Sequence, residues 1–170
     1  MKIKGCIYWS FFTITLIVSI FSIARMISDF CFEESIDGLK EREIVAVWGK
    51  PDVEEEYVGM GVIVEISKKK FLYTDSLATC VAVFVEKEHK QIGYHVISTH
   101  SSESVETILD GATKVYVIAG FQPKSLAMRS VLLALKKKKI IDKVEYAEVE
   151  CDQMVGIYDG RLYVDNWRKR

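Results

Sequence analysis

Apolar residues follow three different rhythms along the chain. The first is an unbroken run, "GCIYWSFFTITLIVSIFSIA" from Gly5 to Ala24, in which no residue is charged. About twenty helical residues at 1.5 Å each cover roughly 30 Å, the thickness of the bilayer's hydrocarbon core. Ten of these positions are Ile, Leu, Val or Phe, each worth about −0.3 to −0.6 kcal/mol near mid-membrane, while the Ser and Thr hydroxyls can bond back to helix carbonyls. Tyr8 and Trp9 stand near one end, where amphipathic rings prefer the interface. Residues 1–28 are therefore predicted to anchor the protein in a membrane, with a mixed juxtamembrane linker at 29–36 and a folded domain at 37–170. The competing reading is a cleaved signal peptide, because Ser22-Ile23-Ala24 follows the small-x-small pattern behind a Lys2/Lys4 region. The apolar run exceeds the usual signal core of about 7 to 15 residues, which favours the anchor.

The second rhythm is helical and bounded by stop signals. In "DGLKEREIVAVWGKPD", Asp37 can cap, Gly49 suits a left-handed stop and Pro51 forbids continuation, so a helix is predicted over Gly38–Trp48, although "IVAVW" would also suit a strand. "SSESVETILDGA" reads as a short capped helix. "QPKSLAMRSVLLALKKKK" reads as a helix started by Pro123, with Met128, Val131, Leu132 and Leu135 on one face.

The third rhythm is that of strands. Tyr57–Ile66, Phe71–Thr74, Thr79–Glu86 and Gln91–Ser98 are short, rich in Val, Ile, Tyr and Phe, and separated by polar turns, which predicts an antiparallel meander. "KVYVIAG" and "KVEYAEVE" add strands, and "MVGIYDGRLYVD" is a hairpin whose Asp159-Gly160 turn matches strand twist. The expected fold class is α+β: an N-terminal transmembrane helix, then one small domain with a mostly antiparallel sheet and two or three helices.

Composition narrows the function more than it specifies it. A formal net charge of −1, with Lys and Arg spread along the chain, gives no electrostatic case for nucleic acid. Lys2, Lys4 and the amino terminus precede the span, with Arg25, Lys40 and Arg42 after it, so the positive-inside rule leans towards a cytoplasmic N-terminus and an extracytoplasmic domain. Outside the cytoplasm, Cys31 and Cys151 are candidates for a disulfide that leaves Cys80 free. The lysine runs Lys68–Lys70 and Lys136–Lys139 and the tail Arg168–Arg170 either end elements in solvent or form a patch for anionic headgroups or an acidic partner. No CxxC or HxxxH occurs and neither His89 nor His100 has a second ligand at metal spacing, so no metal or other cofactor is expected. Gly59 and Gly61 read as a strand irregularity, since no helix follows to complete a phosphate loop.

One pair carries candidate chemistry. With a four-residue loop at "EKEHK", Val85 faces Lys90 and Cys80 falls opposite His95, with Cβ atoms about 5 Å apart. Thiol catalysis needs a thiolate, an imidazole in hydrogen-bond reach and a group orienting the imidazole, roles open to Cys80, His95 and Thr74. The bland alternative is a small apolar cysteine on one strand and a histidine on its neighbour.

Two family resemblances attach to these residues. Cys80 of "LATC", the downstream His95 and Thr74 six before the cysteine are spaced similarly to thiol glutamine deamidases of the CheD and cytotoxic necrotizing factor type, which implies carboxamide hydrolysis through an acyl-enzyme; Ala78 and Thr79 stand where those families carry a small Gly or Ser. Over about residues 35–99, the order of membrane-proximal segment, helix, "GKPD" and strands ending "VFVEKEHKQIGYHVIS" resembles the BamE/OmlA type of bacterial envelope module, without its lipoprotein cysteine and with a further region from Ser101 onward. That resemblance implies a scaffolding or binding domain of the bacterial cell envelope without catalysis. The preferred expectation is thus a single-pass membrane protein whose domain binds a protein partner or the membrane surface, and the alternative is a Cys80/His95/Thr74 amidohydrolase, tethered or secreted.

Overall fold

The uncharged run forms a helix that continues well past its apolar part. The computed structural model of the protein describes residues 3–166, in which α1 spans Ile3–Lys40 without a break. Ser19 Oγ donates to the Thr15 carbonyl one turn back, 2.9 Å away, so a hydroxyl on an apolar helix is satisfied internally. Leu16, Ile17 and Val18 are all exposed although successive side chains point about 100° apart, so this stretch is apolar on more than one side. It is long and apolar enough to cross a membrane or to be a signal sequence. Residues 29–36, expected as a linker, continue the helix. Lys2 and the tail Arg168–Arg170 lie outside the described residues.

The chain divides into two compact units, Met1–Ser35 and Ile36–Arg170. The second unit is α+β and contains two mixed sheets. An inner sheet has the order β3 (Ile63–Ser67), β6 (Lys90–Val96), β5 (Val81–Glu86), β7 (Lys114–Ala119) and β8 (Val144–Glu148). An outer sheet has the order β1 (Val47–Trp48), β10 (Arg161–Asn166), β9 (Gln153–Tyr158), β4 (Phe71–Thr74) and β2 (Glu55–Tyr57). Among the described residues, five of the eight strand pairings are antiparallel; β1 with β10, β2 with β4 and β7 with β8 are parallel.

Alternation along the strands fixes the layers. Ala82 and Phe84 of β5, Tyr116 and Ile118 of β7, Leu72 of β4 and Ile157 of β9 belong to one buried cluster between the sheets. The intervening Val81, Val83, Val85, Val115 and Val117 are buried on the opposite face, which α2 (Ser102–Leu109) and α3 (Leu126–Lys138) cover. Ile36 and Leu39, in the last turn of α1, are also buried within this unit.

Several local expectations are corrected. The helix predicted over Gly38–Trp48 ends at Lys40; beyond it Glu43 bridges Tyr146 and Val47–Trp48 pairs with β10. The β-branched and aromatic "IVAVW" finds a sheet edge and a core to pack on, with Ile44 and Ala46 against the inter-sheet cluster, and tertiary burial outweighs the stop signals. Gly49 does adopt the left-handed conformation, at φ 98°, but it ends a strand. The run Tyr57–Ile66 breaks at Val58–Val62, where Gly61 has φ 75°, because the chain there leaves the outer sheet for the inner one. The meander is therefore absent as such: β3 and β4 are consecutive yet lie in different sheets. Ser125, two residues after Pro123, caps α3 by accepting from the Met128 amide at 3.2 Å. The Asp159-Gly160 turn forms as expected, both residues having positive φ.

The β5–β6 hairpin also has a different register. Val85 pairs with Ile92 and Glu86 with Gln91, and Lys87 N donates to the Lys90 carbonyl at 2.9 Å, so the loop tightens to Glu88-His89. The slip is two residues, which leaves every side chain on its expected face.

One position leaves no room for any side chain. A Cβ on Gly120 would lie 1.4 Å from the Leu77 carbonyl oxygen. Gly120→Ala is expected to destabilise the protein by about 3 kcal/mol or more, because the backbone of two segments has to part. An unfolding free energy from urea titration within about 0.5 kcal/mol of wild type at constant m-value would contradict this packing.

Candidate functional site

Thr74 ends β4 and His95 lies on β6, and alternation turns both side chains into the space between the sheets, where each is fully buried. Thr74 Oγ1 lies 2.8 Å from His95 Nδ1 and 2.7 Å from the Val58 carbonyl oxygen. The hydroxyl has one proton, which goes to the carbonyl because a carbonyl can only accept. It must then accept from Nδ1–H, so the neutral imidazole carries its proton on Nδ1 and a bare lone pair on Nε2. Nε2 is buried and has no hydrogen-bond partner. Burial pushes the His95 pKa below the ordinary histidine value, opposed by the Asp75 carboxylate and reinforced by His100. The arrangement is an oriented neutral base with no donor in reach.

Cys80 stands immediately before β5 and is half-buried. Ala82, not Cys80, pairs with His95, which leaves the cysteine one step further along the same face. The structure brings Thr74 and His95 together and leaves Cys80 without a hydrogen bond to Nε2. Burial raises the Cys80 thiol pKa, with a Thr79 hydrogen bond acting the other way, so the sulfur is held as a neutral thiol. The preceding carbonyls of Leu77 and Ala78 accept from the Phe121 and Gln122 amides at 3.1 and 3.0 Å. They present acceptors occupied by another segment, whereas an oxyanion requires donors.

A cavity of about 540 Å³ opens on the solvent side of the outer sheet. It arises from the path of the chain. The strands β1 and β2 lie at opposite edges of that sheet, about four strand spacings or roughly 19 Å apart, near the full reach of the six residues 49–54 that join them. The sheet's other side is filled by the inter-sheet core, so this strap crosses the outward side. Lys50 near its start forms an ion pair with Glu55 at its end, and both line the cavity with Tyr57, Tyr73, Asp75 and Asp165, over a floor that includes Met154. Tyr57 OH donates to Asp75 Oδ1 at 3.1 Å, and burial followed by this carboxylate pushes the phenol pKa up. An aromatic series runs across the same side: Tyr163 meets Phe71 edge-on at 5.9 Å, Phe71 stacks on Tyr73 at 5.6 Å, and Tyr73 leans on Tyr57 at 5.4 Å. Gly156 makes room for it, since a Cβ there would lie 2.6 Å from the Phe71 ring.

Sequence reasoning singled out Thr74 and passed over its neighbours. The signal was present in "FLYTD": Leu72 and Thr74 face inward, so Phe71, Tyr73 and Asp75 must share the other face.

The remaining expected features fall elsewhere. Lys137 pairs with Glu106 at 2.8 Å and Lys138 with Asp110 at 2.6 Å, tying α3 to α2; Lys68 pairs with Glu86 at 3.5 Å and Lys70 with Glu54. Lys139 closes α3 in the left-handed conformation. Gly59 and Gly61 form the turn between the sheets. Cys31 and Cys151 are each free and exposed. No group of three or more His, Cys, Asp or Glu suited to a metal occurs among the described residues. No protein-family model matches the sequence, and no curated protein matches it.

The buried imidazole has a consequence for stability. Its pKa is lowered on folding, so below about pH 6.5 the unfolded chain binds a proton that the folded chain refuses. This proton linkage therefore contributes nothing above that pH and removes up to about 1.4 kcal/mol per pH unit as pH falls below it, until the folded-state pKa is reached. Denaturant titrations between pH 7.5 and 5 should show this one-proton component in the wild type and not in His95→Gln. Equal slopes for the two proteins would mean that His95 is freely protonated in the fold.

Proposed function

We propose that this is a single-span, membrane-anchored protein of the bacterial cell envelope, whose extracytoplasmic α+β domain binds a protein partner or the membrane surface without chemistry of its own. The observation that carries the reading is α1: it is long and apolar enough to cross a membrane, and its C-terminal end contributes Ile36 and Leu39 to the core of the domain. A helix that is both lipid-compatible and part of the fold suits a tether better than a disposable leader. The neutral Cys80 thiol, which makes no hydrogen bond to His95 Nε2, favours binding over catalysis. The positive charges ahead of the span favour a cytoplasmic N-terminus.

A second reading, a thiol amidohydrolase, is favoured by one observation. Thr74 holds His95 in the tautomer that a general base requires, with Nε2 free to accept. For it to act, Cys80 would have to move into hydrogen-bond reach of that nitrogen.

The binding reading predicts that the full-length protein stays with membranes in alkaline carbonate and keeps an N-terminus upstream of Arg25 by mass spectrometry. It also predicts that Cys80 reacts with iodoacetamide no faster than exposed Cys31 and Cys151, and that Cys80→Ser complements a deletion as wild type does. Release of an intact, uncleaved chain by carbonate would remove the anchor. Fast alkylation of Cys80 with loss of complementation in a folded Cys80→Ser protein would transfer support to the amidohydrolase.

A further inference from the structure

The cavity on the outer sheet is chemically lopsided. Among the described residues, the carboxylates of Glu55, Asp75 and Asp165 line it together with the ammonium of Lys50, which is engaged by Glu55. Its aromatic wall is a corner rather than a platform: the Tyr57 and Tyr73 rings are inclined at 55° with centroids 5.4 Å apart, and Tyr57 keeps 44% of its surface in solvent. A sugar ring stacks on a flat platform. A cation is drawn both to the electron-rich faces of tyrosine and to carboxylates a few ångströms away, while an apolar stem can lie against the rings and Met154.

We infer that this cavity binds an organic cation, an ammonium or guanidinium group on an apolar stem. The inference rests on the reading of the protein as a binding domain and gives that domain its ligand chemistry. Lysine or arginine side chains of a protein partner and free aliphatic amines both carry the required group. The cation comes to the Tyr57–Asp75 side, where the phenol's hydrogen bond fixes the carboxylate beside the ring. Lys50 and Glu55 tie the two ends of the strap that borders the site.

The test uses the full-length protein in non-ionic detergent, titrated calorimetrically with N-acetyl-lysine methylamide, its uncharged norleucine counterpart, putrescine and maltose. The lysine compound or putrescine should bind saturably and weaken with added salt, and the norleucine compound should not bind. Tyr57→Leu and Asp75→Asn should each weaken binding by about tenfold with an unchanged melting temperature. Tighter binding of the lysine compound would assign the cation to a partner chain, and tighter binding of putrescine to a free amine; either sustains the inference. Norleucine matching lysine, maltose binding in place of the cations, no saturable binding of either cation, or full affinity in both folded variants would overturn it. A protein that stays in carbonate-washed membranes and tolerates Cys80→Ser yet ignores the cations would lose only this ligand class. Loss from the membrane would count against the anchored reading instead.

Discussion

Every residue of Val81–Glu86 is buried, and that condition governs the rest of the domain. Successive side chains on a strand point to opposite faces, so a strand buried throughout needs a layer on each side. Val81, Val83 and Val85 are covered by the two helices, and Ala82 and Phe84 by the second sheet. The neighbouring Lys114–Ala119 strand repeats the pattern, with Tyr116 and Ile118 turned into the inter-sheet core. Full burial of side chains the size of Phe84 or Ile118 is worth about 1.5–3 kcal/mol each, so the central strands hold a large share of what stabilises the fold.

Two sheets packed this way have four edges, and one continuous stretch of chain reaches all of them. Glu43 bridges the β8 edge of the inner sheet; β1 then lies at one edge of the outer sheet, β2 at the other, and β3 at the remaining edge of the inner sheet. Edge segments this short offer little template for pairing with another chain. Passing from edge to edge also forces the strap over the outer sheet and the turn at Val58–Val62, and these two crossings create the cavity and enclose the buried histidine. The candidate sites thus follow from the route by which the edges are covered.

Local rhythm was enough to foresee the apolar helix, both short helices of the domain, most strands and the Asp159-Gly160 turn, because each depends on neighbours within a few residues. Three features depended on distant partners and were misread. "IVAVW" became extended because Tyr146 and Val164 offer it backbone partners about a hundred residues away in the chain. Val58–Val62 left its sheet because a second sheet was there to receive it. The hairpin register slipped by two, and a two-residue slip preserves every inward and outward assignment, so alternation could not detect it. That slip moved Cys80 away from His95 while leaving Thr74, which approaches from the other sheet, in contact with the ring. Cavity residues Tyr73 and Asp75 were legible from the alternation in "FLYTD", whereas Lys50 and Tyr57 join them only through the strap.

His95 has a structural task that accounts for half of its ring. Its carbonyl accepts from the Gly61 amide at 2.9 Å, and through Thr74 its Nδ1–H reaches the Val58 carbonyl, so one residue pins both ends of the turn that carries the chain between the sheets. A glutamine amide could donate in the same way to Thr74, and an apolar side chain would fill the same core. Nε2 is different: a buried acceptor without a donor costs about 1–3 kcal/mol, and none of the contacts of the turn requires it. The same alternation that turns Thr74 inward to this ring turns Asp75 outward to Tyr57, so the buried base and the cavity are two sides of a single strand end. A charge drawn into the cavity would act on Asp75, the carboxylate that favours protonation of His95. A cation bound there as inferred, by offsetting Asp75, would favour the neutral imidazole.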